Sequence, residues 1–408
     1  MAEGSMSDLV YLDNACTSFP KATGLDDALA DFFRCHAFNT GRGGHKGAVQ
    51  SAQCIARLRD RIASRIGAHD PSRIILTSGA THAINLTLLG ALDSPTTKRP
   101  RVIVTSMAHN AMTRPLARLH DLERIEVVQI KADAKGRIDA QSVLDADDDN
   151  TVMVCLTHAS NVCGTIQPVA RICAGLRAKG SDALVLVDAA QTVGVLDIDV
   201  LRDDIDLLAF SGHKGLLGPT GVGGLYVGPR AFNTEEDPEA QPLQPVIAGG
   251  TGGSSTAERM PSSLPSRFEP GTPNTLGAYA LLAALDATAN NDHAGALQHE
   301  RALIARLRDR LGDIPACTLV GVDDPQDATP VQSFTIEGIP PGDVATILDQ
   351  SFSIAVRAGL HCAPCAHKTL GTFDLGGTVR VSPGPSSTTD EIDTCCDALA
   401  QIAAHANT

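Results

Sequence analysis

Two histidines and two cysteines occupy the seven positions from 361 to 367, in the segment HCAPCAH. Such residues suit three kinds of chemistry: zinc binding, a redox Cys-x-x-Cys pair at a helix N-terminus, or attack by a single thiol. No second Cys-x-x-Cys or paired-histidine group is evident elsewhere in the sequence to complete a zinc site. This argues against a metal site, but the segment alone does not decide between the three, and the residues that share a pocket with it must do so.

A second group of polar residues follows the ends of apolar runs that read as strands. In an open α/β sheet, ligands bind at the carboxyl ends of the strands. Each residue alone has an ordinary structural explanation, such as capping a helix or solvation in a turn. Together they offer a turn and helix start for a phosphate, a stacking histidine, a strand-end carboxylate and a lysine, which is the set that pyridoxal phosphate requires. These residues are Thr81, His109, Asn161, Asp188, Gln191, Ser211, His213 and Lys214.

Each type has a chemical reason. A lysine forms a Schiff base with the cofactor aldehyde, and burial or nearby cations lower its pKa enough to free the amine. A carboxylate such as Asp188 keeps the pyridine nitrogen protonated, so that the ring can accept electrons. Ser211 and His213 lie within reach of the phosphate.

The elements that position these residues are short strands alternating with helical stretches from about residue 70. The predicted strands are residues 73–77, 101–105, 127–130, 151–156, 183–188, 206–210 and 223–228. Apolar strands separated by helices predict a mostly parallel sheet buried on both faces. After a Pro/Gly/Ser-rich passage at 248–274, helices at 275–290 and 297–312, three strands and a closing helix predict a smaller α+β unit. HCAPCAH is expected on a loop between two of its strands. We predict a large domain at 24–268 and a small domain at 269–408, with residues 7–23 packing on the small one.

The composition excludes several classes of function. The chain has 408 residues, 43% hydrophobic and 20% charged, with a net charge of −14 and no basic stripe, which argues against nucleic acid. No apolar run approaches the roughly 20 residues of a membrane helix. The eleven cysteines are odd in number and follow no secretory signal, so we expect reduced thiols and a cytoplasmic protein.

Two stretches carry a specific resemblance: VDAAQTVG…DLLAFSGHKGLLGPTGVGGLYVG and VRAGLHCAP…GTVRVSPG…TTDEID. They resemble the class V aminotransferase-fold cysteine desulfurases and selenocysteine lyases, and the likeness extends from YLDNACTSFPKA to the last helix. The resemblance implies an α/β fold of the fold-type I pyridoxal phosphate-dependent transferases. It also implies a homodimer, because Thr272 matches a phosphate ligand that reaches across from the second subunit.

The same resemblance assigns roles to the other residues. Lys214 matches the Schiff-base lysine and Cys362 the sulfur-accepting nucleophile, and together with the stacking His109 they form the catalytic set. Arg357 and Arg380 match the arginines that anchor the substrate carboxylate, with Asn161 near substrate and ring. The remaining cofactor ligands are Asp188 at the pyridinium, Gln191 at the ring hydroxyl, and Thr81, Ser211 and His213 at the phosphate.

The implied reaction converts L-cysteine to L-alanine and leaves the sulfur on Cys362 as a persulfide, for which a sulfur-acceptor protein is a possible partner. The alternatives are a lyase acting on L-selenocysteine or another class V lyase or aminotransferase, and, more remotely, a non-catalytic scaffold in sulfur or iron–sulfur assembly. The sequence departs from the family pattern at Cys16, at Cys365 and in the segment SPGPSST. Cys365 could resolve a persulfide on Cys362, but we expect it only to pack as a small apolar side chain.

Overall fold

The computed structural model describes residues 9–40, 44–92, 99–253 and 256–406. Its strands are β1 (Val10–Tyr11), β2 (Ile74–Thr77), β3 (Arg101–Thr105), β4 (Glu126–Ile130), β5 (Thr151–Thr157), β6 (Leu184–Asp188), β7 (Leu207–Ser211), β8 (Gly223–Val227), β9 (Cys317–Val320), β10 (Gln332–Ile336), β11 (Ile354–Ala355), β12 (Arg357–Gly359) and β13 (Thr378–Val381). Its α-helices are α1 (Leu25–Asp31), α2 (Lys46–Arg65), α3 (Ala80–Leu92), α4 (Asn110–Asp121), α5 (Ala140–Ala146), α6 (Val169–Ala178), α7 (Thr275–Ala287), α8 (His293–Gly312), α9 (Pro341–Phe352), α10 (Pro364–Thr369) and α11 (Thr389–Ala406).

The larger sheet has seven strands in the order β2-β8-β7-β6-β5-β3-β4. Strands β3 to β7 run parallel to one another, and β8 is antiparallel to both β2 and β7. Every residue of β6, β7 and β8 is buried, because helices cover both faces: α2, α6 and α7 contribute to one hydrophobic cluster, and α3 and α4 to the other. The predicted α/β fold with a mostly parallel sheet is confirmed.

The smaller sheet is antiparallel, in the order β12-β13-β10-β9. Helices α8, α9 and α11 pack their apolar side chains into one cluster with it. The N-terminal segment joins this unit, since β1 pairs in parallel with β11 and Leu12 is fully buried in the same cluster. The single strand predicted at 354–359 is divided into β11 and β12. Strand β9 and helix α9 were not predicted from the sequence.

The division into domains at residue 268 stays a prediction. Helix α7 lies C-terminal to that boundary, but it packs against α1 and α2 and buries Ala278, Leu281 and Leu285 in a core cluster of the larger sheet. In the described ranges, no helix is long and apolar enough to cross a membrane.

The expectation that HCAPCAH is a loop is wrong for its second half. Helix α10 begins at Pro364, a residue whose fixed φ suits the first position of a helix. Ala363 and Ala366 are fully buried with Met107 and Val162 in a small cluster between the two units. This packing fixes the short helix directly beside the edge of the large sheet.

Candidate active site

Asp188 and Lys214 lie at the carboxyl ends of neighbouring strands. Asp188 is the last residue of β6, where it pairs in register with Ala209 of β7, and its Oδ1 accepts a hydrogen bond from the amide of Ala190. Lys214 follows the end of β7 in a glycine-bounded turn. Burial lowers the pKa of Lys214, and the positive charge of Arg380 adds to this, whereas Asp188 opposes it. The site therefore favours a neutral, nucleophilic amine within the field of a carboxylate.

His109 caps α4 beside these two residues. Its Nδ1 accepts a hydrogen bond of 3.0 Å from the amide of Ala111, which leaves the ring proton on Nε2. Burial lowers the pKa of His109; the Asp188 carboxylate opposes this effect, whereas Lys214 and Arg114 add to it. The ring is therefore neutral at physiological pH and available for stacking.

The turn between β2 and α3 carries hydroxyl groups at the same sheet edge. Thr81 is exposed in the first turn of α3, and the amide of Ala80 donates to Ser211 Oγ over 3.0 Å. Gly79 has a φ of +146°, a conformation that few other residues adopt. Ser211 and Thr81 thus flank one helix N-terminus, where the backbone favours an anion.

His213 and Gln191 contact the N-terminal segment of the chain. His213 Nδ1 lies 3.1 Å from Thr17 Oγ1, and Gln191 Nε2 donates to the Ala15 carbonyl over 3.0 Å. Burial, with the charges of Lys214 and Lys21, lowers the pKa of His213 to about 4. The same N-terminal segment is also hydrogen-bonded to the smaller unit, since the amide of Ala15 donates to Ser382 Oγ over 3.0 Å.

Arg380 comes from the smaller sheet and is only 3% exposed. Its Nη2 forms a 2.8 Å salt bridge with Asp13 Oδ1, and its Nη1 donates to the Asn161 carbonyl over 2.9 Å. Its Nε and Asn161 Oδ1 are both buried and have no hydrogen-bond partner among the described residues. These two bare polar atoms are a donor and an acceptor that a polar ligand could satisfy. Arg357 is the cross-strand partner of Arg380, but it is exposed.

Cys362 is exposed and opens into a cleft of about 390 Å³ that Thr81, His109 and Arg114 also line. Its carbonyl accepts from the amide of Asn110 over 2.7 Å. The nucleophile predicted from the smaller unit and the histidine predicted from the larger sheet therefore meet in one cleft.

Two of the predicted features lie outside the cleft or contact other side chains instead of a ligand. Thr272 is exposed and lines a separate cavity of about 800 Å³, together with Ser78 and His82. The two histidines of HCAPCAH stack on each other, with ring centroids 5.4 Å apart. Among the described residues, no group of three or more His, Cys, Asp or Glu side chains has a geometry that could hold a metal ion.

The family model described as aminotransferase class-V matches residues 10–395. The chain belongs to the class-V aminotransferase family. A family relative from Methanothermobacter thermautotrophicus, a probable cysteine desulfurase, is 34% identical over 98% of this chain and 96% of its own. A cysteine desulfurase of Haloferax volcanii is 31% identical over 96% of this chain and 88% of its own. The solved apo structure of a cysteine desulfurase from Thermococcus onnurineus superposes with a TM-score of 0.86 at 28% identity, and covers 97% of this chain and 95% of its own.

In this class-V chain, the salt bridge of Asp13 and the ring contact between His361 and His367 were not predicted from the sequence. The signal for Asp13 was a charged residue directly after the apolar run VYL, at the point where a strand would end. The spacing of the two histidines carried no such signal, because their contact depends on a helix that begins between them.

Proposed function

We propose that this protein is a pyridoxal phosphate-dependent cysteine desulfurase that converts L-cysteine to L-alanine and takes the sulfur onto Cys362. One observation carries the proposal: the exposed thiol of Cys362 opens into the cleft lined by His109, which lies at the same sheet edge as Asp188 and Lys214. Similarity to proteins named cysteine desulfurase over nearly the whole chain supports it.

The residues at the sheet edge fit pyridoxal phosphate. Lys214, with its lowered pKa, would bind the aldehyde, Asp188 would hold the ring nitrogen, and His109 would cover the ring. Thr81, Ser211 and His213 would bind the phosphate, and Gln191 the ring hydroxyl. When bound, the cofactor supplies an electron sink for the bond changes at the substrate carbons.

Arg380 and Asn161 are suited to hold the substrate. A guanidinium binds a carboxylate through parallel hydrogen bonds, and Arg380 has an unpaired Nε although Asp13 already occupies Nη2. The bare Oδ1 of Asn161 can accept from the substrate. Arg357 is exposed on the neighbouring strand and would bind the substrate carboxylate at the entrance to the site.

Lys214 would then remove the proton from the substrate Cα, and the thiolate of Cys362 would attack the substrate sulfur. One S–S bond forms, the C–S bond breaks, and its electron pair stays with the substrate carbons; Cβ takes up a proton, and Cα regains the proton it lost, to give alanine. The products are L-alanine and a persulfide on Cys362. A thiol reductant, or a sulfur-acceptor protein, removes the outer sulfur and regenerates the Cys362 thiol.

The proposed assembly is a homodimer in the cytoplasm. Thr272 lies on a loop beside a large open cavity that also reaches Ser78 and His82, next to the turn before α3. A second copy seated there would bring its Thr272 to the phosphate site. All eleven cysteines are free thiols, which fits a reducing compartment.

The test is incubation with pyridoxal phosphate, L-cysteine and dithiothreitol, with alanine and sulfide measured together. Equal amounts of both products are expected from the wild type and from the control Cys35→Ala, which removes another exposed cysteine. Lys214→Ala and Cys362→Ala should form little alanine. Full alanine formation by Cys362→Ala would refute the sulfur-transfer role, and turnover of L-selenocysteine alone by that variant would indicate a selenocysteine lyase.

A further inference from the structure

His361 and Cys362 are the two central residues of a turn, and neither residue type favours the backbone conformation it has there. His361 has a φ of +48° and Cys362 a φ of +55°, and the amide of Ala363 donates to the Leu360 carbonyl over 2.8 Å. Two successive residues with positive φ inside such a hydrogen bond define a type I′ turn, which strongly prefers Asn-Gly. Because neither central residue is glycine or asparagine, contacts from outside the turn must hold it.

Two of these contacts come from the larger unit and act on the backbone. The carbonyl of His361 accepts from Asn161 Nδ2 over 2.7 Å, and the carbonyl of Cys362 accepts from the amide of Asn110 over 2.7 Å. Both carbonyls of the strained residues are therefore satisfied, but neither bond restrains the His361 side chain.

The side chain of His361 is held by a buried chain of hydrogen bonds. His361 Nδ1 lies 3.2 Å from His367 Nε2, and His367 Nδ1 lies 2.7 Å from Thr372 Oγ1. The three residues are 8%, 0% and 5% exposed. Burial lowers the pKa of His361 to about 2 and that of His367 to about 4, so both rings are neutral and each carries one proton.

These contacts form in either direction of hydrogen bonding. Each neutral ring carries one proton, so one atom of each contact donates and the other accepts, whichever tautomer is present. Among the described residues His361 Nε2 is buried without a partner, so the contact of Nδ1 with His367 restrains the ring. The orientation of the ring adjacent to Cys362 therefore depends on His367 and, through it, on the Thr372 hydroxyl.

We propose that His367 and Thr372 are positioning residues for Cys362: their hydrogen-bonded chain fixes the His361 ring and so maintains the strained turn that presents the thiol to the cleft. The catalytic part of this inference rests on the proposed desulfurase function. Helix α10 has a further anchor, because Ala363 and Ala366 pack in a separate apolar cluster. Loss of these hydrogen bonds should therefore loosen the turn at His361 and Cys362 without unfolding the smaller unit.

The alternative is that the two rings only fill space in the core. Thr372→Val removes the hydroxyl and keeps the shape, and His367→Phe keeps a stacked ring without hydrogen bonds. His367→Gln keeps an amide that can donate to His361. The matched control is Thr369→Val, which removes a hydroxyl on the same helix that bonds the Cys365 carbonyl.

Two measurements on the holoenzyme test the proposal. Hydrogen–deuterium exchange reports the amides of residues 360–363, and steady-state kinetics with L-cysteine and dithiothreitol separates kcat from KM. We expect Thr372→Val and His367→Phe to increase exchange at these amides at least fivefold and to lower kcat at least tenfold, with KM changed less than twofold. His367→Gln should recover part of both effects, and Thr369→Val should match the wild type.

Wild-type exchange at residues 360–363 in both Thr372→Val and His367→Phe would overturn the role in holding the turn. Faster exchange with unchanged kcat would overturn the positioning role for Cys362. If the wild type forms no alanine from L-cysteine, the proposed function fails, but the exchange comparison still decides whether the chain holds the turn.

Discussion

The buried pair of Asp13 and Arg380 predicts a large and non-additive loss of stability on mutation. Arg380 is 3% exposed and Asp13 is 9% exposed, with 2.8 Å between their charged atoms. Removing one member of a buried pair leaves an uncompensated charge, which costs about 3–5 kcal/mol. Because Arg380 keeps its bond to the Asn161 carbonyl, we expect Asp13→Asn to lower the free energy of unfolding by about 3 kcal/mol.

The double variant separates this interaction from general damage. Arg380→Met strands the Asp13 carboxylate and should also cost about 3 kcal/mol, whereas Asp13→Asn with Arg380→Met removes both charges. The double variant is then expected to lose less than the sum of the two single variants, by about 2 kcal/mol. The control is Asp197→Asn, because the pair of Asp197 and Arg202 is 89% and 53% exposed and a solvated pair of this kind contributes little to stability.

The assay is urea unfolding followed by circular dichroism at 222 nm, since the chain has no tryptophan to report by fluorescence. Single losses that add within about 0.5 kcal/mol, as expected of independent sites, would refute the coupling. So would a loss in Asp13→Asn as small as that in Asp197→Asn, since the pair would then behave as though it were solvated.

Four further predictions concern the cofactor, pH, assembly and redox state. Borohydride reduction of the pyridoxal phosphate-loaded protein should fix an adduct on the peptide that contains Lys214; an adduct elsewhere contradicts the assignment. Burial lowers the pKa of His367 to about 4 in the folded state, while an unfolded histidine titrates near 6.5. The contribution of His367 to stability is therefore full above about pH 6.5 and falls as the pH drops towards 4. Urea midpoints measured between pH 7 and 4 should fall less steeply in His367→Gln. Sedimentation should show a dimer, and Thr272→Ala should weaken pyridoxal phosphate binding; a fully active monomer would disprove the shared site. Cys365→Ala should form alanine within twofold of the wild type with and without reductant, unless peptide mapping of oxidised protein finds a disulfide to Cys362.

The sequence predicted the sheet and its edge well, because both depend on local pattern. Apolar runs marked β6 and β7, and the polar residues that follow them, Asp188 and Lys214, necessarily lie at one edge of a parallel sheet. The helical stretches that follow the loop at 248–274 were also recognisable, because α8 repeats apolar residues at helical spacing and α7 is a run rich in the helix formers Ala and Leu.

What could not be predicted depends on contacts between distant segments. The salt bridge of Asp13 and Arg380 joins residues 367 positions apart, and each alone is an ordinary charged residue near a strand. The strand predicted at 354–359 is divided because its first part pairs with β1 and its second with β13. The ring contact of His361 and His367 required knowing that α10 begins at Pro364, and a single proline predicts a turn as readily as a helix start.

The N-terminal segment forms hydrogen bonds with both the larger and the smaller unit, and these contacts constrain the order in which the chain folds during synthesis. Ser18 donates to the His213 carbonyl beside Lys214, while Asn14 donates to the Ser382 carbonyl two residues after Arg380, across a separation of 368 positions. Ribosomes add roughly 5–20 residues per second, so this segment waits on the order of tens of seconds for its partners from the smaller sheet. Closing so long a loop is entropically unfavourable until the contacts form together. Nascent chains halted before β11 should therefore leave this segment more open to protease, and chains that include β13 should protect it fully.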